Sequence, residues 1–456
     1  MKRYLAVDIG ASSGRHIIAE LKNGVLRCEE IYRFQNGADE VNGRLYWDTD
    51  RLFREILAGL KKAGEIGKRP DYVGIDTWAV DYVLLDERGA RMGDVYSYRD
   101  ARGGIASEKV HEKIPFSDLY ARTGIQYQPF NTIYQLYDDK ESGRLSKAKG
   151  LLMLPDYFHY LLTGVKKQEY TNATSTGMVN AVTHTWDPFI LSALGYNKEI
   201  FGALSQPGSV VGDFKKEIAA AVGYTATVIL PATHDTASAV LAAPIEDRAP
   251  YISSGTWSLL GIENEQAVTN ETAMCYNYSN EGSLHLTFRF QKNIMGLWMI
   301  QQVRKELGDR YSFAALADLA EKSPIDVTVD VNDSRFLAPK SMLAEMECAI
   351  GKHPIGEIAY CIFNSLAESY KRAIDELEEM TGANYDKLHI IGGGSQNKLL
   401  NRLTAEKTGK RIVLGPTECT AIGNVLMQMI GTGEVKDLAE ARKIIRNTFE
   451  IEEVTR

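Results

Sequence analysis

In the run ATVILPATHDTASAV, residues 226–240, an apolar stretch gives way to His234 and Asp235, and a small-residue helical pattern begins at once. Aspartate is a preferred helix N-cap, worth about 1 kcal/mol, so the plain structural reading makes Asp235 the cap of a helix over TASAVLAA. The same placement gives a carboxylate a fixed direction and little solvent freedom, which suits a positioned general base. His234 stands beside an apolar strand, where histidine is more often a packing residue; its chemical role would be a hydrogen bond to a substrate.

Three small-residue turns follow apolar strand patterns. DIGASSGR places Asp8 at a strand end, before a turn whose backbone N–H groups, with the hydroxyls of Ser12 and Ser13, can converge on a phosphate. Arg15 would add a positive charge. SSGTWS (253–258) repeats that layout with Thr256, and IIGGGSQNKLL sets Gly392 to Gly394 between a strand and a helix, where an anion is favoured. Each turn alone reads equally well as a ligand-free turn. The spacing fits neither the dinucleotide fingerprint nor the P-loop.

Two further stretches are candidates. FQKNIMGLWMIQQVRKEL is predicted to be one amphipathic helix, with Asn293 and Gln301 eight apart on one broad face, a pattern equally expected of a solvated polar stripe. DTWAVDYVLLD sets Asp76, Trp78 and Asp81 along a strand and turn, where the indole either floors a sugar pocket or belongs to the core.

These residues need strands and helices to hold them. YLAVDIG, HIIAEL and VLRCEEIYRF read as strands joined by turns, and DTDRLFREILAGLKKAGEIG as a helix capped by Asp48 or Asp50. Helical patterns dominate from about residue 106 to 220, PYISSGTWSLLGIE repeats the opening architecture, and two strand–turn–helix units follow. Strands alternating with helices imply an α/β fold, and two similar openings imply duplicated domains. Prolines and charges in APIEDRAP (243–250) place the boundary there, giving domains 1–244 and 245–456.

The 456 residues are 44% hydrophobic with a net charge of −8 and no basic stripe, which argues against a nucleic-acid partner. No apolar run approaches the roughly 20 residues of a membrane span, and the opening MKRYLAVDIG is interrupted by Asp8, unlike a signal peptide. Five widely spaced cysteines suggest reduced thiols in a cytoplasmic protein, with a Cys348–Cys361 bridge left open by spacing.

Taken together, AVDIGASSGR, GIDTWAVDYVLLD, PFNTIYQLY, LLMLPDYFHYLLTG, EYTNATSTG, THDTASAV, SSGTWSLLG, KNIMGLW and HIIGGGSQN, which span residues 6–397, resemble the FGGY carbohydrate kinases of the actin-like ATPase superfamily. The resemblance implies two ribonuclease-H-like domains with ATP and sugar in a cleft between them, and phosphorylation of a small ketose at its C1 hydroxyl. It implies that Ala11, Ser12, Ser13, Gly14 and Arg15 hold the ATP phosphates, with Asp8 near Mg²⁺ through water. Thr256 would be a second phosphate contact, and Gln301, Gly393 and Gly394 would touch the nucleotide. His234, Asp235, Thr236 and Asn293 would bind the sugar, with Asp235 as proton acceptor. The family pattern has a sugar-contacting glycine where this chain has Ala79, so the ketose preference is less tightly implied than the reaction. The implied protein is a monomer or small homo-oligomer, with no nucleic-acid or membrane partner. Rival readings are a kinase for another ketose, such as L-fuculose or L-xylulose, and a non-catalytic actin-like ATPase or sugar sensor.

Overall fold

The computed structural model describes residues 1–455. Packing divides them into two compact units, one of residues 1–242, 264–290 and 420–448, the other of residues 243–263, 291–419 and 449 onwards. Two segments beyond residue 250 thus fold with the first unit. One of them contains all but the first residue of the helix Cys419–Gly431, which carries Asn424 and Gln428.

The first unit is built on a six-stranded sheet in the order Val210–Asp213, Thr227–Ile229, Tyr72–Thr77, Tyr4–Ile9, Ser13–Lys22, Val25–Gln35. Tyr4–Ile9 runs antiparallel to Ser13–Lys22 and parallel to Tyr72–Thr77, which in turn is parallel to Thr227–Ile229. Tyr4–Ile9 is buried throughout, which is why YLAVDI is almost continuously apolar instead of alternating. The helix Thr49–Glu65 lays Leu52, Ile56, Leu60 and Ala63 on the core beside Leu5, Val7, Val73 and Ile75. Asp48 is its N-cap, accepting from the Arg51 N–H at 2.8 Å.

In the second unit the neighbouring strands are Trp257–Asn264, Tyr251–Ser254, Lys387–Ile391, Arg411–Leu414 and Glu452–Val454. Their pairings run antiparallel, parallel, parallel, antiparallel, the same succession that Ser13–Lys22 through Val210–Asp213 follows in the first unit. The duplicated opening seen in the sequence is therefore a duplicated α/β core.

Three local expectations are corrected. FQKNIMGLWMIQQVRKEL is not one helix: Asn293 lies on the strand Phe288–Met295 and Gln301 on the helix Trp298–Glu306, so they share no helical face. Gly296 separates them because a Cβ there would stand 2.6–2.7 Å from the backbone of residues 255–257. Asp235 is the first residue of the helix Asp235–Leu241, and His234 occupies the N-cap. GIDTWAVDYVLL is two strands, Tyr72–Thr77 and Tyr82–Leu85, which belong to different sheets.

All five thiols are free, Cys361 and Cys419 buried and the other three exposed, so no Cys348–Cys361 bridge forms. Among the described residues, no helix is long and apolar enough to cross a membrane.

Candidate active site

Parallel α/β sheets gather ligands at the carboxyl ends of their strands, and the first unit places its acids there. Asp8 and Asp76 are direct partners in the parallel register of Tyr4–Ile9 and Tyr72–Thr77. Both are buried. Burial pushes the Asp76 carboxyl well above the usual carboxylate range, and the neighbouring charge of Asp8 pushes it further; the Asn424 amide and Arg15 act in the opposite sense. Asn424 Nδ2 donates to Asp76 Oδ2 at 2.5 Å, and Gln428 Nε2 donates to Asn424 Oδ1 at 2.7 Å and to the Leu5 carbonyl at 3.1 Å. The other oxygen, Asp76 Oδ1, is buried with no hydrogen-bond partner.

The turn between Tyr4–Ile9 and Ser13–Lys22 holds Ala11, Ser12 and Ser13, closed by the Gly10 N–H on the Ser13 carbonyl at 2.9 Å. Ser12 is exposed, and Ala11, Ser13 and Arg15 are half-buried. Arg15 Nε stands 3.2 Å from Asp8 Oδ2, so the acid and the base of DIGASSGR face one another. Gly14 is a glycine for packing: a Cβ there would fall 2.1 Å from the Phe34 ring.

The parallel bridge Thr77↔His234 brings THDT to the same end of the sheet. Asp235 Oδ1 accepts from the Thr236 N–H at 2.6 Å and the Thr236 hydroxyl at 3.3 Å, and lies 3.4 Å from His234 Nε2. Oδ2 takes part in none of these bonds, and the side chain keeps 31% exposure. Its low-dielectric surroundings hold the Asp235 carboxyl above the ordinary range, moderated by His234 and Thr236. His234 Nδ1 is 3.0 Å from Glu281 Oε2, which also accepts from Arg289 Nη2 at 3.0 Å. Arg289 Nη2 also lies 3.2 Å from His234 Nδ1, and His234 Nε2 faces Asp235.

Ala79 is half-buried and precedes Val80, whose φ of 67° is an outlier for a β-branched residue. The Val80 carbonyl is held by Thr132 Oγ1 at 2.6 Å and Gln135 Nε2 at 3.4 Å. Trp78 is buried, and its indole N–H donates to Asp81 Oδ2 at 2.8 Å, as that of Trp47 does at 2.6 Å, so these groups are core and not a pocket floor.

In the second unit, Thr256 lies in the turn joining Tyr251–Ser254 to Trp257–Asn264. The Leu297 and Trp298 N–H groups donate to the Gly255 and Thr256 carbonyls at 2.9 and 3.2 Å, fixing the start of the helix that carries Gln301 against that turn. After Lys387–Ile391, Gly392 adopts φ 81° and a 3-10 turn over Gly393–Gln396 precedes the helix Lys398–Thr408. A Cβ on Gly394 would meet Ser254 Oγ at 1.9 Å, whereas Gly393 faces open space. Asn293 is half-buried on its strand.

The structure thus gathers Asp8, Arg15, His234 and Asp235 in the first unit, and Thr256, Gln301, Gly393 and Gly394 in the second. Sequence reasoning passed over Glu281, Arg289 and Asn424, and Asp76 as a partner of Asp8. Only the last left a signal, the shared strand-end acid of AVDIG and GIDTW.

Two carboxylates in register, one with a buried oxygen unused by protein, suit a magnesium ion that keeps most of its water, the usual habit of Mg²⁺ at phosphate sites. No cluster of three or more metal-ligating side chains occurs among the described residues.

Residues 3–242 match the N-terminal domain, and residues 250–432 the C-terminal domain, of the FGGY family of carbohydrate kinases. The chain belongs to this family and is a sugar kinase, an enzyme that uses ATP. Among its relatives are the rhamnulokinase of Halalkalibacterium halodurans, 49% identical over 99% of this chain and 98% of that one, and the rhamnulokinase of Bacillus subtilis, 45% identical over 99% and 95%. Among solved structures, the xylulose kinase of Lactobacillus acidophilus superposes with a TM-score of 0.81 at 16% identity, covering 99% of this chain and 93% of that one. Plasmodium falciparum glycerol kinase with ADP gives 0.76 at 14% identity, covering 99% and 94%. At such identities the structures speak for the fold alone.

Proposed function

We propose that this chain transfers the γ-phosphoryl group of MgATP to the C1 hydroxyl of L-rhamnulose, releasing ADP and L-rhamnulose 1-phosphate in L-rhamnose breakdown. The observation that carries this reading is the Asp235 carboxylate, with Oδ1 pinned by Thr236 and Oδ2 left open to a substrate hydroxyl. Asp235 accepts the C1 proton as the C1 oxygen bonds to the γ-phosphorus and the bond to the ADP oxygen breaks. A carboxyl held above its ordinary range is a better base than a free aspartate.

His234, Thr236 and Asn293 hold the sugar, and the backbone at Ala79 contacts it. Ala11 to Arg15 and Thr256 hold the phosphates, and Gln301, Gly393 and Gly394 the nucleotide. Asp8, with Asp76 beside it, would hold Mg²⁺, which neutralises phosphate charge when bound. In this reading residues 1–244, joined by the segments 264–290 and 420–448 that fold with them, form the half that handles the sugar and carries the first phosphate turn, and the rest of residues 245–456 forms the nucleotide-binding half. The net charge of −8 supports small-molecule partners over nucleic acid or an anionic membrane, and the enzyme works in the cytoplasm as a monomer or small homo-oligomer.

The test is ATP-dependent phosphorylation of L-rhamnulose compared with L-fuculose, L-xylulose and glycerol, with Asp235→Asn as blank. Preference for L-rhamnulose is expected. Equal or greater turnover of another ketose would overturn the substrate, and no turnover of any would overturn the reaction.

A further inference from the structure

The run EYTNATSTG, Glu169 to Gly177, is buried throughout and takes no part in the chemistry above. Its bonds lead to that chemistry from two directions. Glu169 caps the short helix Tyr170–Thr174: Oε1 accepts from the Thr171 N–H at 2.8 Å, and Oε2 from the Thr171 hydroxyl at 2.6 Å and the Asn172 N–H at 3.1 Å. A cap needs no more than that. Yet Oε2 also accepts from the Thr233 N–H at 3.1 Å and the Thr233 hydroxyl at 2.8 Å, 64 residues along the chain. The Thr233 carbonyl is held in turn by the Thr77 N–H at 3.0 Å and Asn172 Nδ2 at 3.4 Å. Every polar group of the residue before His234 is therefore fixed.

At the other end of the same turn, Thr174 Oγ1 accepts from the Gly282 N–H at 2.8 Å while donating to the Thr171 carbonyl at 2.8 Å. Gly282 follows Glu281, whose carboxylate holds His234 Nδ1. The Tyr170 ring approaches so closely that a Cβ on Gly282 would lie 2.4 Å away. One buried turn thus sets the backbone that precedes His234 and the backbone that presents its Glu281 partner.

We infer that Glu169 and Thr174 are positioning residues for phosphoryl transfer, fixing His234 from both sides and thereby aiming the adjoining Asp235 carboxylate. The inference rests on the function proposed above. The donors converging on Glu169 explain a carboxylate at a fully buried position: it satisfies two hydroxyls and three N–H groups, each of which would otherwise be buried without an acceptor. A glutamine would turn an amide N–H₂ toward some of those donors.

The test uses Glu169→Gln, Thr174→Val and Thr174→Ser, with Thr171→Val as control, because the Thr171 hydroxyl bonds Glu169 but reaches neither Thr233 nor Gly282. Misplacement of a catalytic group by about an ångström costs on the order of 100-fold. Glu169→Gln and Thr174→Val should therefore lower kcat for L-rhamnulose by about 10- to 100-fold. ATP affinity should be retained, Thr174→Ser should recover most of the rate, and Thr171→Val should keep it. If Glu169→Gln does not fold, the Thr174 pair decides. The inference is overturned if Thr174→Val keeps its rate, if Thr171→Val loses as much, or if Thr174→Ser fails to recover. Absence of turnover in the unaltered chain would instead overturn the proposed function.

Discussion

Asp8 and Asp76 stand opposite each other in the register of two parallel strands, both buried, with Asn424 donating to Asp76 at 2.5 Å. Two carboxyl groups so placed cannot both be charged cheaply without a cation, and burial together with the charge of Asp8 holds Asp76 well above the usual range. Asp76→Asn removes half of that charge demand. The Mg²⁺ concentration for half-maximal turnover should rise by about tenfold or more, since Mg²⁺ at phosphate sites is held by only one or two carboxylates, directly or through its waters. A metal titration with unchanged midpoint would remove Asp76 from the cation site.

Asp235→Asn keeps the shape of the side chain and its bond to the Thr236 N–H, so the protein should fold and bind ATP. Loss of a positioned base costs about 10²- to 10⁴-fold in kcat. Because the folded environment raises the Asp235 carboxyl, the acid limb of kcat/KM should lie above the ordinary aspartate value of about 3.9. Activity then falls as pH drops through that limb. A variant retaining most of its rate, or a limb at the ordinary value, would count against Asp235 as the base.

Thr256 and Gln301 belong to the second unit, and His234 and Asp235 to the first. Thr256→Ala and Gln301→Ala should weaken ATP binding by about 10- to 150-fold, as loss of one hydrogen bond to a charged group, about 1.5–3 kcal/mol, implies. Sugar affinity should change less. Calorimetric titrations showing the reverse would mean that the nucleotide and sugar roles are exchanged.

Asp81 offers a test in stability. Burial raises its carboxyl to about 6, against the bonds from Trp78, Trp47, Gln135 and the Tyr98 N–H that lower it. Unfolded, it would titrate near 3.9. Between those values the folded chain holds the proton that the unfolded chain has lost, so rising pH removes stability across this window, and the loss is complete above about 6. Asp81→Asn does not titrate. Its melting temperature relative to the unaltered chain should therefore improve from about pH 4 to 6.5 and then level off. A difference independent of pH would contradict the buried, proton-holding Asp81.

Gly423 touches the backbone of the helix Asp235–Leu241: a Cβ there would lie 1.8 Å from the Ser238 carbonyl oxygen. Backbone cannot rotate away as a side chain can. Gly423→Ala should destabilise by about 1–3 kcal/mol through overpacking, and by disturbing that helix should lower kcat as well. Denaturant unfolding with an unchanged midpoint would show that the two helices are not packed as tightly as described.

Period and punctuation made much of this legible in the sequence. The apolar runs ending in Asp8 and Asp76, the repeated strand–turn–strand openings and the strand–turn–helix units near the C-terminus are local patterns. A local pattern reports the local environment of each residue. Boundaries were less secure. FQKNIMGLWMIQQVRKEL has apolar residues at helical spacing, yet Gly296 must let three backbone groups of a distant turn approach, and that contact splits the run into strand and helix. His234 took the cap expected of Asp235 because the parallel bridge to Thr77 extends the chain through it.

The sequence by itself determined the duplicated α/β plan, the small-residue turns at strand ends and an acid at a helix start, since each depends on neighbours a few residues away. Tertiary structure alone decided which acids stand in register, that Glu281 and Arg289 hold His234, that a helix from the C-terminal region returns Asn424 to Asp76, and that Glu169 fixes Thr233. Those pairings join residues 47 to 348 positions apart. Their partners are fixed by the closure of the core, which no stretch of sequence a few residues long can specify.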